Sequence, residues 1–246
     1  MSSTVSSRVD LSGRDTELTE LMDAPDCDPV RLERTLRRFT IINRLVSGWG
    51  GVYADHVRPA LLAGGGQGRI LDIGCGGGDI LRGLVRRARA DGFEVTGLGI
   101  DPDERSLAVA RGAASVDGIS YRAAYSADLA AEGDSFDVVV SNHLVHHLSA
   151  SQLSALLADS EVLAGRVALH SDIARGRAAY GLYAVGITPF APGSLLRTDG
   201  LRSIRRSYTA SELASVLPAG WAVHTPGLFR VVARWGASPS LPGARE

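Results

Sequence analysis

Residues 70–79 read Ile-Leu-Asp-Ile-Gly-Cys-Gly-Gly-Gly-Asp, an apolar run that stops at a glycine turn and opens onto a helical pattern. Few folds accept that order. Glycine tolerates positive φ and lets a ligand approach backbone more closely than any Cβ allows. A buried strand that ends in such a turn and continues as a helix is the first unit of an open α/β sheet, with its crevice at the strand ends. The turn alone does not name the ligand, because NAD, FAD and phosphate sites use the same device. Three details narrow it. The dinucleotide fingerprint needs glycine at the sixth position of GxGxxG, which here is Asp79, and no lysine follows to complete a Walker turn. Asp72 stands two residues before the first glycine, where a carboxylate repels a pyrophosphate but suits a cofactor with a cationic amino acid moiety. Asp101 follows the apolar run 95–100, at a tip from which a carboxylate can accept bonds from both ribose hydroxyls.

The rest of the chain repeats this unit. Short apolar runs at 69–73, 94–100, 119–123, 136–141 and 166–170 alternate with helical patterns at 79–90, 103–113 and 152–163. Alternation of this kind implies right-handed βαβ units, a parallel sheet and helices on both faces. Runs at 221–224 and 228–235 around Pro226-Gly227 read as a closing antiparallel hairpin, so seven mostly parallel strands are expected. Ahead of the sheet, Asp28 and Pro29 form a cap and first turn for a helix whose apolar positions are Leu32, Leu36, Phe39, Ile42, Leu45 and Val46. A second helix is expected over 52–62, stopped by Gly64-Gly65-Gly66. Thr209 and Glu212 make a capping box for a helix over 209–217. The expected organisation is a flexible tail at 1–27, a helical cap at 28–66 and the α/β domain at 67–240, with an insertion at about 174–206.

Composition removes several function classes. Net charge is −1, and all 26 basic residues are arginine; bulk charge gives no support for a nucleic-acid partner. Cys27 and Cys75 do not make a disulfide framework or a zinc spacing, so no metal is expected. No run reaches the ~18 apolar residues that cross a bilayer, and the polar first residues lack a signal core. No membrane association and a cytoplasmic location are therefore expected.

The segments ILDIGCGGG and GIDPDE resemble the first two motifs of the class I S-adenosylmethionine-dependent methyltransferases, over roughly residues 69–235. That resemblance implies a Rossmann-like fold and S-adenosyl-L-methionine as cofactor, held by Asp72, Gly74, Cys75, Gly76, Gly78, Asp101 and Pro102. It adds Ala127 and Asp128 beside the adenine, and Asn142 and His143 beside the amino acid part. The stretches LMDAPDCDPVRLERTLRRF, SDIARGRAAY and TDGLRSIRRSYTASEL resemble UbiE-like enzymes of polyketide and quinone pathways, which act on small molecules.

Fold does not give the acceptor. Asn142-His143-Leu144-Val145 departs from the Asn-Pro-Pro-aromatic tetrad of base N-methyltransferases. His170 and Asp172 stand at a strand's carboxyl end, where a histidine can take a proton near neutral pH, so His143 and His170 are the base candidates. Phe39, Asn43, Tyr53, His147, Asp172, Tyr180 and Arg206 are expected to line the acceptor, under a lid at 174–206. Half-apolar aromatic walls fit a planar guest. The expected activity is O-methylation of a phenolic or quinone-like small molecule, with a homodimer among the expected assemblies. C-methylation of an aromatic ring, a non-catalytic cofactor-binding homologue and an RNA methyltransferase stand as alternatives.

Overall fold

The computed structural model describes residues 9–236, without the side chains of residues 44–46. Residues 1–8 of the expected tail, 237–240 of the expected α/β domain, and the Leu45 and Val46 side chains of the first helical pattern therefore lie outside the described residues. The chain opens with helix α1 (Pro29–Val46), where the Asp28 carboxylate accepts from the amides of Val30 and Arg31 at 2.8 and 3.1 Å. Helix α2 (Trp49–Val52), a π-helical turn at Tyr53–Val57 and helix α3 (Arg58–Ala63) occupy the region expected as a single helix.

The alternating part runs β1 (Gln67–Ile73), α4 (Asp79–Ala90), β2 (Glu94–Ile100), α5 (Glu104–Gly112), β3 (Ile119–Arg122), α6 (Ser126–Glu132) and β4 (Phe136–Asn142). A 3-10 turn at Val145–His147 leads to α7 (Ala150–Leu163) and β5 (Ala164–Ile173). The last part comprises α8 (Arg177–Gly186), a 3-10 turn at Thr188–Phe190, α9 (Leu196–Arg206), α10 (Ala210–Val216), β6 (Trp221–His224) and β7 (Arg230–Gly236).

Among the described residues the strands form one seven-stranded sheet in the order β3-β2-β1-β4-β5-β7-β6. The first five are parallel, and β7 enters antiparallel between β5 and β6. This is the expected Rossmann-like sheet with a terminal hairpin. The chain reverses its direction of travel between β1 and β4, and open α/β sheets form their binding crevice at such a switch.

Alternation along the strands divides the core. Ile70, Val138, Val140 and Leu169 pack with Leu81, Leu84 and Val85 of α4 and with Val52, Val57 and Leu61 ahead of the sheet. Leu71, Ile73, Val139 and Ala168 face the other way, toward Leu153, Leu156 and Leu157 of α7 and Leu213 of α10.

Two helices escape the sequence patterns. α6 is only seven residues long, and α9 carries Gly200 mid-helix, which costs about 1 kcal/mol relative to Ala. Gly200 is there for packing: the Tyr183 phenol of α8 lies where its Cβ would go. The expected tail also packs against the domain over residues 9–27. Leu21 and Met22 donate their amides to Asp199 of α9 at 2.9 and 3.0 Å. Arg105 of α5 reaches the Ala24 carbonyl at 3.0 Å, and Glu20 is 4% exposed. This strap crosses from α9 to α5 along the strand-end side of the sheet. No helix among the described residues is long and apolar enough to cross a membrane.

Candidate active site

The carboxyl ends of β1 and β2 make an acidic cradle. Gly74, Gly76 and Gly78 take φ of 66°, 51° and 72°, the left-handed backbone that glycine alone adopts freely. A Cβ on Gly78 would collide with the Tyr121 hydroxyl. Cys75, which is buried, donates its amide to the Ile100 carbonyl at 3.0 Å. The Gly76 amide donates to Asp101 Oδ2 and the Asp103 amide to Asp101 Oδ1, both at 2.9 Å. Both oxygens of Asp101 thus keep a second lone pair for ligand hydroxyls.

Asp72 is 1% exposed, and neither carboxylate oxygen has a hydrogen-bond partner among the described residues. Burial, reinforced by Asp79 and Asp101, pushes its carboxyl well above the usual carboxylate range. Burial likewise raises Asp79, against the Asn43 amide that donates to its Oδ2 at 3.0 Å. A buried carboxylate without a donor is costly. Asp72 is that case, and with Asp79 and Asp101 it sets three carboxylates around one glycine turn. They favour a ligand with a positive charge and hydroxyl groups, and S-adenosyl-L-methionine, with its ammonium, sulfonium and ribose diol, fits that acceptor set.

The carboxyl ends of β4 and β5 make a second, differently charged region. The Asn142 amide oxygen accepts from Trp49 Nε1 at 3.0 Å and Arg230 Nη2 at 2.9 Å. His143 has a φ of 57°, and its ring lies between Arg230 Nη1 at 3.0 Å and Asp172 Oδ1 at 3.6 Å. Burial and the neighbouring Arg230 cation lower the His143 imidazole to about 4. His146 is joined to Asp172 through Nδ1 at 2.8 Å and to Glu20 through Nε2 at 3.0 Å. Burial alone would lower His146, but the two carboxylates raise it to about 10. His146 is therefore an imidazolium held between two anions.

Several sequence expectations need correction. His170 is no base at the strand edge: it is 0% exposed, with Nδ1 joined to Ser141 Oγ at 2.8 Å and Nε2 to Ser160 Oγ at 3.0 Å. It stacks on Trp221, and burial lowers it to about 3. Tyr53 lines no acceptor site, since it is buried with its hydroxyl donating to Asp91 at the far end of α4. Arg206 spends its guanidinium on the carbonyls of Leu18, His146 and His147, so it buttresses the turn and the strap. Asp172 is 2% exposed and committed to His146.

Other expected residues fall elsewhere in the site. His143 is half-buried at the site, but Arg230 occupies its Nε2 lone pair. Asn43 faces Asp79 and so belongs to the cradle. His147 is half-buried beside Asp23 of the strap, while Phe39 on α1 and Tyr180 on α8 are half-buried. Pro102, Ala127 and Asp128 are exposed; Asp128 lies in the first turn of α6, where one oxygen accepts from the Tyr125 amide at 2.8 Å. Sequence patterns missed Glu20 and Arg230. Glu20 sits in a polar stretch without period, and Arg230 is one arginine among many until the hairpin places it beside Asn142.

Comparison with known proteins gives the site its context. A family model described as a methyltransferase domain matches residues 70–163. The ubiquinone biosynthesis O-methyltransferase of Agrobacterium fabrum is 30% identical over 223 residues, covering 87% of this chain and 80% of that protein. The enzyme of the same name from Roseobacter denitrificans is 38% identical over 159 residues, 56% of this chain and 61% of that protein. A plantazolicin methyltransferase solved with S-adenosylhomocysteine superposes with a TM-score of 0.56 at 12% identity, covering 83% of this chain and 95% of that one, a likeness of fold. With 30% identity held across 80% of a relative's length, and an acid-lined glycine turn at the switch point of the sheet, the chain belongs to the class I S-adenosylmethionine-dependent methyltransferases and is an enzyme of that class.

Proposed function

We propose that the chain methylates an oxygen of a phenolic or quinol-like small molecule. The observation that carries this reading is the identity, across 80% of its length, to a ubiquinone biosynthesis O-methyltransferase. The site's surroundings support it. Arg38 of α1 holds the carbonyls of Phe190 and Pro192 at 2.8 and 2.6 Å, and the Leu195 amide donates to Thr35 Oγ1 at 2.8 Å. The insertion at 174–206 is thus fastened to the helical cap, and the two together form the cover of the acceptor site, with Phe39 and Tyr180 on its half-apolar lining.

When bound, the cofactor supplies a methyl group on a sulfonium, an intrinsically good leaving group. The protein's part is then alignment and exclusion of water. Asp72, Asp79 and Asp101 would hold the charged and hydroxylated ends, and Asn142 would offer its amide N–H groups, because Trp49 and Arg230 occupy its oxygen. Incubation with methyl-labelled cofactor and a panel of catechols, hydroquinones and simple phenols tests the reading, with label expected in an aryl methyl ether. Label on ring carbon would replace O-methylation by C-methylation. Label appearing only in RNA or protein would overturn the small-molecule reading.

A further inference from the structure

Five ionisable side chains stand in a row below the strand ends: Arg230, His143, Asp172, His146 and Glu20. Each touches the next, at 3.0 Å from Arg230 Nη1 to His143 Nε2, 3.6 Å from His143 Nδ1 to Asp172 Oδ1, 2.8 Å on to His146 Nδ1 and 3.0 Å from His146 Nε2 to Glu20 Oε1. Exposures of 5% for Arg230, 2% for Asp172 and His146 and 4% for Glu20 leave only His143 reaching the surface. At that depth a charge without an opposite neighbour is strongly penalised. Arg230, Asp172, His146 and Glu20 alternate in sign and sum to zero, so the row of five is neutral only when His143 is neutral. A proton added to His143 would stand uncompensated beside Arg230.

Donor chemistry gives the same answer independently. A guanidinium has only N–H donors, so its contact with His143 Nε2 makes that nitrogen the acceptor. The ring's single proton then resides on Nδ1, facing Asp172. The charged groups around His143 are Arg230 from β7, Asp172 from β5 and His146 from the 3-10 turn, and the sum over them is one net positive charge, which opposes a further proton.

We propose that Arg230 is a positioning residue that holds His143 neutral in its Nδ1–H form, so that His143 is a fixed polar wall of the acceptor site and not the base of the reaction. The same guanidinium orients Asn142 through its other terminal nitrogen. A consequence rests on the phenolic reading above. The acceptor hydroxyl loses its proton to bulk water before the site closes, its oxygen then bonds to the methyl carbon as the sulfur–methyl bond breaks, and no proton comes to rest on His143.

The test is long-range 1H–15N correlation of the histidine rings in the full chain with S-adenosylhomocysteine, with His143 assigned through H143N. The expected wild-type result is an Nδ1-protonated ring that does not titrate between pH 5 and 9. In R230Q, which removes the charge, His143 should titrate with a midpoint shifted by at least tenfold in proton concentration, and R230K should move it back. An Nε2-protonated or cationic His143 in the wild type overturns the proposal even if R230Q does not fold. So does an R230Q spectrum identical to wild type. A kinetic arm follows kcat/KM against pH for phenols of different acidity. The acid limb should track each phenol's own pKa, and a limb common to all phenols that vanishes in H143N would also overturn the proposal. Failure to methylate any phenol defeats the acceptor reading alone, because the ring spectra need no acceptor.

Discussion

Glu20 should hold the strap to the active site mainly through its charge. It is 4% exposed and accepts from His146 Nε2 at 3.0 Å and Ser203 Oγ at 2.7 Å. Burial alone would raise its carboxyl, but His146, His147 and Ser203 lower it from 4.5 to about 2. At about 1.4 kcal/mol for each factor of ten, that depression corresponds to roughly 3 kcal/mol. Losing one member of a buried ion pair costs about 3–5 kcal/mol. Glu20→Gln keeps an oxygen for the Ser203 and His146 donors, so a loss of roughly 2–3 kcal/mol is expected. The strap can open without unfolding the sheet, and the loss should appear there, as about 30- to 150-fold faster hydrogen exchange at residues 18–24 at pH 7. The pH dependence has a definite sign. A depressed carboxyl contributes stability above its unfolded value near 4.5 and loses it as pH falls toward 2, so wild type and variant should converge in acid. The raised His146 works oppositely, with its contribution complete below 6.5 and lost as pH climbs through about 10. Mass-spectrometric exchange at pH 3, 7 and 10 reads all of this. Strap amides in Glu20→Gln that exchange within threefold of wild type at pH 7 would refute the reasoning.

Three further outcomes follow from single residues. Asp72→Asn should weaken S-adenosylhomocysteine binding at least tenfold by calorimetry while raising the melting temperature of the ligand-free protein. A buried carboxyl with a raised folded pKa loses stability as pH rises above 3.8, and the amide removes that cost of about 1–3 kcal/mol. His170→Ala should lower stability by about 2–4 kcal/mol, since it unpairs two buried serines and leaves a cavity against Trp221, while kcat of the folded fraction stays within twofold of wild type; a hundredfold fall in kcat at unchanged stability would restore His170 as a base. Gly200→Ala normally gains about 1 kcal/mol in a helix, yet here the added methyl meets the Tyr183 phenol, so thermal denaturation should show a net loss.

The fold was largely legible because its signals are local. The strand limits read at 94–100 and 221–224 and the helix limits at 79–90 coincide with β2, β6 and α4. Each is an apolar run or amphipathic stretch bounded by glycine, proline or a cap. The capping box of Thr209 and Glu212 forms as read. The elements that escaped lack such signals. Gly200 breaks the helical pattern of α9, and the π-helical turn between α2 and α3 leaves no mark on composition. The strap has no period because it is held by backbone amides, carbonyls and one buried acid, not by an apolar stripe.

The site divides along the same line. Asp72, the glycine turn and Asp101 sit at strand tips that adjacent residues define, and the structure brings them together as an acidic cradle. The row from Arg230 to Glu20 is assembled by pairs 87 and 126 residues apart, a separation over which pattern carries no information. His170 shows how one boundary decides an assignment. With β5 read as ending at residue 170, its imidazole lay at the carboxyl edge, where open α/β sheets put their chemistry. The strand continues to Ile173, and at about 3.3 Å per residue the true edge lies about 10 Å beyond His170. Both faces of this sheet are covered, so a side chain that far inside must point into a helix layer, and it turns to Ser160 of α7. The same shift brings Asp172 to the tip, and the imidazole it binds there is His146, from the turn after β4, so the histidine at this edge is a buried ion-pair partner and not a strand residue.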